Sequence, residues 1–325
     1  MIDTACVFVT DAGYLAPSLL AAKQVLSRGI GELADILIFT IDVDEGLTDR
    51  LQKETGHPSL KFIPLQSRAF IPPKGTSFHQ NHVPIASLAR LTLEPEIPQQ
   101  YRNIVYLDGD IQVVGDISAL VRHKVPDGMI LAGRGSAWLD PDDVYSMQSA
   151  GYLAALGGVA PDDYFNAGVL AFNRDTWASE GPRALDLFVE NAHAFVRHDQ
   201  SALNATFRGS VQFFSPAYNF HAVYASAYAA GVARPKIVHF TGEWKPWKRA
   251  SPHWGPRFYR SYVNLLAEHS DLHEFFRVTP LHIWVMRQPL DWAREARRLA
   301  RERTVLKARR ALIADYLANG DIAVR

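Results

Sequence analysis

The N-terminal part of the chain alternates short apolar stretches with amphipathic ones, and this alternation constrains the fold more than any other feature. The apolar stretches at residues 4–10, 36–41 and 60–64 have the length and composition of buried strands. Residues 15–28 and 47–55, which separate them, have the apolar spacing of helices. Strands that alternate with helices in this way indicate a mostly parallel sheet covered by helices, so we predict an α/β fold.

A further predicted strand, residues 104–107, runs into Asp108-Gly109-Asp110. Open α/β sheets bind their ligands at the carboxyl ends of the strands. Two carboxylates separated by one residue can face the same side and share a divalent cation, and Gly109 leaves room for a tight turn. The alternative is an ordinary Asp-Gly turn between strands. Asp-x-Asp occurs three times in the chain, so the tripeptide alone does not decide between these interpretations.

Length, charge and cysteine content narrow the class of protein. The 325 residues can form one large α/β domain or two joined halves. Because 34 Lys and Arg balance 34 Asp and Glu, the overall charge favours neither nucleic acid nor an acidic partner. The single cysteine, Cys6, lies in an apolar predicted strand, which is typical of a buried thiol in the reducing cytoplasm. The N-terminal sequence and the lengths of the apolar runs predict neither a signal peptide nor a membrane-spanning helix.

The rest of the chain continues the α/β pattern without a nucleotide-binding glycine motif. Neither Gly-x-Gly-x-x-Gly nor Gly-x-x-x-x-Gly-Lys is present, which argues against a dinucleotide-binding fold and a P-loop. The predicted elements after residue 83 are a helix at 84–93, a strand at 129–132, a long connection at 133–163, a strand at 165–173, helices at 183–196 and 200–207, the second capped by Asp199, and a strand at 236–240.

A second informative stretch follows the last predicted strand, from His239 to Trp247. An imidazole at a strand end can supply a third ligand beside two carboxylates, and this mixed donor set suits manganese better than calcium. Gly242 allows close approach of the backbone, and Lys245 offers a positive charge to a diphosphate. The alternative is a hydrogen-bonded core histidine beside packed tryptophans.

Four stretches together resemble glycosyltransferase family 8, which holds bacterial lipopolysaccharide glucosyl- and galactosyltransferases and glycogenin. They follow the family's order between about residues 4 and 250. The stretches are Tyr106-Leu-Asp-Gly-Asp110, Phe165-Asn-Ala-Gly168, Asp199-Gln200 with Leu203-Asn204, and His239-x-x-Gly-x-x-Lys-Pro-Trp247.

The resemblance implies a GT-A fold, a Rossmann-like α/β arrangement in which helices flank a mixed, mostly parallel sheet. Residues 1–255 would form the glycosyltransferase domain, with a nucleotide-binding half at about 1–115 and an acceptor half at about 116–255. A C-terminal helical region would occupy residues 256–325.

The resemblance also implies manganese, with magnesium as an alternative, and a UDP-hexose donor whose glucose or galactose is transferred with retention. The implied metal ligands are Asp108, Asp110 and His239. The implied contacts to the nucleotide sugar are Thr10, Asp11 and Tyr14 at the uridine, Arg90 at the donor, and Gly242 and Lys245 at the diphosphate. The implied residues beside the transferred sugar are Asn166 and Gln200, with Asp199 as a positioning residue.

One departure from the family bears on the mechanism. Relatives often carry Asp directly after the Asp-Gln pair, whereas Ser201 stands here. Gln200 is a poor nucleophile, so we predict attack by the acceptor on the same face as the leaving UDP rather than a covalent intermediate. The expected acceptor is a saccharide or a lipid-linked oligosaccharide in lipopolysaccharide or surface polysaccharide synthesis. The alternatives are a weakly active sugar-nucleotide-binding scaffold and a nucleotide-sugar hydrolase.

The C-terminal segment is strongly basic. Residues 294–310 contain eight basic and two acidic side chains, and Leu299, Leu306 and Ile313 repeat at intervals of seven. This helix could pack its apolar stripe on the domain or on a second helix. Alternatively, residues 284–313 could contact anionic lipid of the inner membrane from the cytoplasm, with Trp284 and Trp292 at the interface.

Overall fold

The computed structural model describes residues 2–66, 85–139, 150–286, 288–318, 320 and 322–323. Residue 84 of the predicted helix at 84–93, and residues 140–149 of the predicted long connection, lie outside this part of the chain. The strands are β1 (Thr4–Thr10), β2 (Asp35–Ile41), β3 (Leu60–Leu65), β4 (Asn103–Leu107), β5 (Ile111–Val113), β6 (Ile130–Arg134), β7 (Phe165–Asn173), β8 (Val211–Phe214), β9 (Ile237–His239) and β10 (Ile322–Ala323).

Eight of these strands form one mixed sheet in the order β10-β8-β6-β7-β4-β1-β2-β3. On one side of the sheet, strands β3, β2, β1 and β4 are all parallel to one another, as the alternation of strands and helices predicts. Strand β7 enters antiparallel between β4 and β6, which the sequence pattern does not reveal because two other strands lie between β4 and β7 in the chain. The α/β prediction is confirmed, with an antiparallel strand at the centre of the sheet.

Helices cover both faces of this sheet. They are α1 (Leu15–Ser27), α2 (Glu45–Thr55), α3 (Ser118–Arg122), α4 (Ala150–Ala155), α5 (Arg174–Glu190), α6 (His198–Thr206), α7 (Ala222–Ser226), α8 (Ala230–Ala233), α9 (Pro256–Glu268), α10 (Leu281–Met286), α11 (Gln288–Arg301) and α12 (Arg303–Leu317). Apolar side chains of β1 alternate between two core clusters, with Val7 in one and Phe8 in the other, so the central strands are buried on both faces. Cys6 is fully buried in the second cluster, as predicted.

A separate two-stranded sheet positions the functional residues. Strands β5 and β9 are antiparallel, and Ile111 pairs directly with His239. The backbone N–H of Phe240 also donates to the carbonyl oxygen of Asp110 at 3.0 Å. Because β5 begins immediately after Asp110, this short ladder brings the imidazole beside the two carboxylates.

Three predicted helices differ from the structure. The stretch predicted as a helix at 84–93 is a 3-10 helix, Ile85–Thr92. Helix α5 begins at Arg174 rather than at 183, because Asn173 accepts a hydrogen bond from the N–H of Thr176 and the chain continues through Pro182. The predicted cap by Asp199 is wrong, since helix α6 begins at His198 and Asp199 lies within its first turn.

The basic C-terminal segment forms two helices, α11 and α12, which are separated at Glu302. Leu306 and Ile313 are buried in a cluster with Phe240 and Trp254, and Leu299 packs against the same cluster. The apolar stripe therefore packs on the domain. Among the residues that the structure describes, no helix has both the length and the apolar character needed to cross a bilayer.

Candidate active site

The structure brings the three predicted metal ligands together at the ligand-binding edge of the sheet. Nε2 of His239 lies 3.2 Å from Oδ1 of Asp110 and 3.7 Å from Oδ2 of Asp108. One ligand atom from each of the three residues lies within 4.8 Å of the others. The imidazole is buried, whereas the side chains of Asp108 and Asp110 keep 22% and 14% of their surface exposed. This donor set fits a divalent cation that enters from the solvent side.

Glycines give the site its close packing. A Cβ atom at Gly168 would lie 2.5 Å from Nδ1 of His239, and one at Gly109 would run into the side chain of Ser18. Both glycines therefore stand where a larger residue would displace a neighbour of the carboxylate and imidazole cluster. The tight turn predicted at Gly109 is confirmed.

Lys245 supplies the cation nearest to the carboxylates. Its Nζ donates hydrogen bonds to Oδ2 of Asp110 and to the carbonyl oxygen of Phe240. Burial alone would raise the pKa of Asp110, but the charges of Lys245 and His239 outweigh it and hold this pKa below its usual range. The pKa of Lys245 is raised because the attraction of Asp110 exceeds the effect of burial. Asp110 is therefore held ionised, which is the state that a metal ligand requires.

Arg90 links the metal-site carboxylates to helix α6. Its Nη2 donates to Oδ1 of Asp108 at 3.0 Å, and its Nη1 donates to the carbonyl oxygen of Ala167 at 2.7 Å. Nε lies 2.8 Å from Oδ2 of Asp199, close enough for an ion pair although this oxygen accepts no hydrogen bond from the described residues. The guanidinium also stacks 4.3 Å from the ring centre of Tyr106. Arg90 is thus almost fully engaged by the protein, and its predicted contact with the donor stays a prediction.

Asp199 is buried beside this arginine. Burial raises the pKa of its carboxyl group, and the nearby charge of Arg90 opposes the rise only in part. His198, the residue before it, has a left-handed backbone with φ of 47°, which is uncommon for a residue with a side chain. The first turn of α6 therefore holds Asp199 and Gln200 at the site at a cost in local backbone strain.

Asn166 and Gln200, the residues predicted beside the sugar, contact each other. Nδ2 of Asn166 donates to Oε1 of Gln200 at 3.1 Å, and the backbone N–H of Ala167 donates to the same oxygen. Nε2 of Gln200 donates to the hydroxyl of Tyr164. Sequence reasoning missed two partners here, Tyr164 and Asn219, because neither belongs to a recognisable motif.

The predicted uridine-binding residues lie at the end of β1. The carboxylate of Asp11 accepts a hydrogen bond from the N–H of Tyr14 at 3.1 Å and so caps a short 3-10 helix, Ala12–Tyr14. Tyr14 packs edge-on against Trp247, with 6.0 Å between the ring centres, and Thr10 is buried. Gly242 lies exposed with φ of 75°, three residues before Lys245. Tyr14 and Lys245 thus approach the carboxylates, and the nucleotide contacts of Thr10, Asp11, Tyr14, Gly242 and Lys245 stay predictions.

Two curated relatives are similar to part of the chain. Glycosyltransferase GlyE of Streptococcus pneumoniae is 28% identical over 188 residues, which cover 53% of this chain and 39% of GlyE. General stress protein A of Bacillus subtilis is 23% identical over 236 residues, which cover 65% of this chain and 77% of that protein. The chain therefore spans less than half of the length of GlyE.

Solved structures of glycosyltransferases share the fold. The galactosyltransferase LgtC, solved with donor and acceptor sugar analogues, has a TM-score of 0.66 at 23% identity, covering 80% of this chain and 95% of LgtC. The bifunctional glycosyltransferase WbbM has a TM-score of 0.65 at 20% identity, covering 84% of this chain and 51% of WbbM. The predicted GT-A fold is thereby confirmed.

The family itself is identified by its sequence model. The model described as glycosyl transferase family 8 matches residues 5–251, which contain the carboxylate pair and, close to their C-terminal end, the His239–Trp247 stretch. With this match over most of its length, the chain belongs to glycosyl transferase family 8.

Proposed function

We propose that the protein is a metal-dependent, retaining hexosyltransferase that transfers glucose or galactose from a UDP-sugar. The observation that carries the proposal is the cluster of Asp108, Asp110 and His239, with Lys245 in contact with it. A purely structural role would not require a partly exposed pair of carboxylates at the ligand-binding edge.

The metal that we propose is manganese, with magnesium as the alternative. A carboxylate and imidazole donor set supports this choice. When bound, the ion would supply Lewis-acid stabilisation of the charge that develops on the departing UDP. A divalent cation would also take over the neutralisation of Asp110, which leaves Lys245 available to the diphosphate. Its ammonium group would stabilise the same developing charge.

On the sugar side, we propose attack by the acceptor on the face from which UDP departs. Ser201 occupies the position where relatives often carry Asp. Its hydroxyl is buried in contact with the hydroxyl of Tyr152 at 2.8 Å and the N–H of Arg197 at 3.0 Å. The amide oxygens of Asn166 and Gln200 would lie near the positive charge that develops on the sugar. Asp199 would act as a positioning residue through its ion pair with Arg90. A glycosyl-enzyme adduct seen by intact mass spectrometry would contradict this mechanism.

We further propose a saccharide or lipid-linked acceptor in surface polysaccharide or lipopolysaccharide synthesis, reached at the cytoplasmic face of the inner membrane. Trp284 is buried and the apolar stripe of α11 and α12 is packed, so these residues do not provide the lipid contact that the sequence suggested. We propose that exposed apolar side chains of α10 and α11 contact the lipid instead. They are Leu281, Ile283, Met286, Leu290 and Trp292.

The proposal is tested by release of UDP from a panel of UDP-sugars, with manganese or with a chelator. We expect slow, metal-dependent release from one UDP-hexose that is lost in Asp110→Asn. The matched control is Asp44→Asn in another Asp-x-Asp sequence, where Asp44 caps α2 and asparagine caps a helix equally well.

Two outcomes would overturn the proposal. If no UDP-sugar is consumed and UDP binding is independent of manganese, the chain is a scaffold. If water outcompetes every sugar acceptor, the protein is a hydrolase.

A further inference from the structure

Asn219 lies between the metal site and the sugar-side amides, and nothing in its sequence surroundings points to function. Its side chain is 1% exposed. Its Oδ1 lies 3.0 Å from Nδ1 of His239, and its Nδ2 lies 2.8 Å from Oδ1 of Asn166. Asn219 therefore joins a predicted metal ligand to a predicted sugar-side residue.

The orientation of the Asn219 amide follows from a backbone donor. A backbone N–H can only donate, and that of Gly168 lies 3.0 Å from Oδ1 of Asn166, so this atom is the carbonyl oxygen. The Asn219 atom that contacts the same oxygen must then be the amide nitrogen. Its other atom, which faces His239, is consequently an oxygen.

A second backbone donor supports the same assignment from the other end. The N–H of Ala167 lies 3.1 Å from Oε1 of Gln200, which identifies that atom as an acceptor. The remaining amide atom of Asn166, its Nδ2, donates to this oxygen at 3.1 Å. All three amides are therefore oriented consistently by two adjacent peptide groups of β7.

The chain of hydrogen bonds dictates which nitrogen of His239 carries a hydrogen. The Asn219 oxygen can only accept, so Nδ1 must donate to it. Nε2, which faces Asp108 and Asp110, is then the nitrogen that can give up its hydrogen to hold the metal, whereas without metal it donates to the carboxylate of Asp110. We infer that Asn219 is a positioning residue that holds His239 in the tautomer and orientation required for metal coordination. The inference rests on the proposed metal site.

Two measurements on the full-length protein test this role. The first is ¹⁵N NMR of histidine-labelled protein saturated with Mg²⁺, a diamagnetic ion that would replace the hydrogen on Nε2. We expect hydrogen on Nδ1 and none on Nε2 of His239 in the wild type, and a mixture of ring states in Asn219→Ala. The second is the affinity for Mn²⁺ by calorimetry, which should fall about 10- to 100-fold in Asn219→Ala, as is typical when a partner of a metal-bound histidine is removed.

A matched control comes from another amide and imidazole pair. Oε1 of Gln212 lies 3.0 Å from Nε2 of His123, and Gln212 is also buried. Gln212→Ala should keep wild-type affinity for Mn²⁺, because it removes a comparable hydrogen bond away from the metal site.

The outcomes separate this inference from the proposed function. Wild-type affinity for Mn²⁺ in Asn219→Ala, or hydrogen on Nε2 and none on Nδ1 of His239 in the Mg²⁺-loaded wild type, would overturn the role of Asn219. Absence of Mn²⁺ binding in the wild type would instead overturn the metal site. The tautomer measurement on the wild type requires no variant and stands even if Asn219→Ala does not fold.

Discussion

Replacement of Gly168 by alanine should damage the metal site through a single methyl group. A Cβ atom at this position would lie 2.5 Å from Nδ1 and 2.9 Å from Nε2 of His239, and real Cβ atoms essentially never approach other atoms below 3.0 Å. Because Cε1 of the ring would lie closer still, the ring would have to withdraw by more than the roughly 0.9 Å that Nδ1 alone needs to reach the ordinary contact distance of 3.4 Å.

The surroundings of His239 leave little freedom for such a movement. The ring is buried, and it is held by Asn219 at Nδ1 and by Asp110 at Nε2. A displacement of this size strains or breaks the 3.0 Å hydrogen bond to Asn219, at a cost of about 1–3 kcal/mol for a buried polar group left unpaired. It also moves a metal ligand, so we expect the affinity for Mn²⁺ to fall at least about tenfold.

Calorimetric titration with Mn²⁺, together with chemical denaturation of the same samples, measures both effects. The control is Gly231→Ala in α8, where a Cβ atom would meet nothing within 4 Å. If Gly168→Ala folds and binds Mn²⁺ within about threefold of the wild type, His239 is not a ligand held in the observed position.

Three further perturbations have defined outcomes. Burial lowers the pKa of His221 from 6.5 to about 3. The unfolded chain therefore binds a proton below pH 6.5 that the folded chain does not, and stability falls as the pH drops. Between pH 6.5 and pH 4, the free energy of unfolding measured by denaturation should fall by about 3 kcal/mol less in His221→Gln than in the wild type. The same pH dependence in both proteins would contradict the prediction. Lys245→Met should lower turnover in UDP-release kinetics about 100-fold while Mn²⁺ binding persists, and full turnover would exclude a role for Lys245 at the diphosphate. Paired Leu290→Ser and Trp292→Ser substitutions should reduce co-sedimentation with anionic vesicles. Undiminished sedimentation would exclude these exposed side chains as a lipid contact.

Local patterns predicted those parts of the fold and site that depend on neighbouring residues. The parallel strands β1 to β3 were recognisable because each is a short apolar run followed by a helix. Asp108 and Asp110 were recognisable because they end such a run.

Long-range contacts account for what the sequence could not predict. The antiparallel insertion of β7 depends on pairing with β4, from which two other strands separate it in the chain. Asp199 resembled a helix cap, but the structure turns it towards Arg90, which lies more than a hundred residues earlier. Asn219 is invisible in the sequence because its importance comes only from its contacts with His239 and Asn166.

The basic C-terminal segment illustrates the same limit. Its apolar stripe was compatible with packing on the domain, helix pairing or lipid binding. Packing on the domain is decided by an apolar cluster around Phe240 and Trp254, whose residues come together only when the chain is folded. Leu306 and Ile313 pack there, so the stripe is covered. Four arginines of the same helices remain exposed and the other three are half-buried.

The central claim is that Asp108, Asp110 and His239 bind a divalent metal for sugar transfer. A crystal grown with MnCl₂ and UDP, measured for anomalous scattering from manganese, tests this most directly. We expect one strong anomalous peak within coordination distance of both carboxylates and of Nε2 of His239, and no peak there in Asp110→Asn. A well-diffracting crystal with bound UDP and no manganese peak among these three residues would contradict the claim.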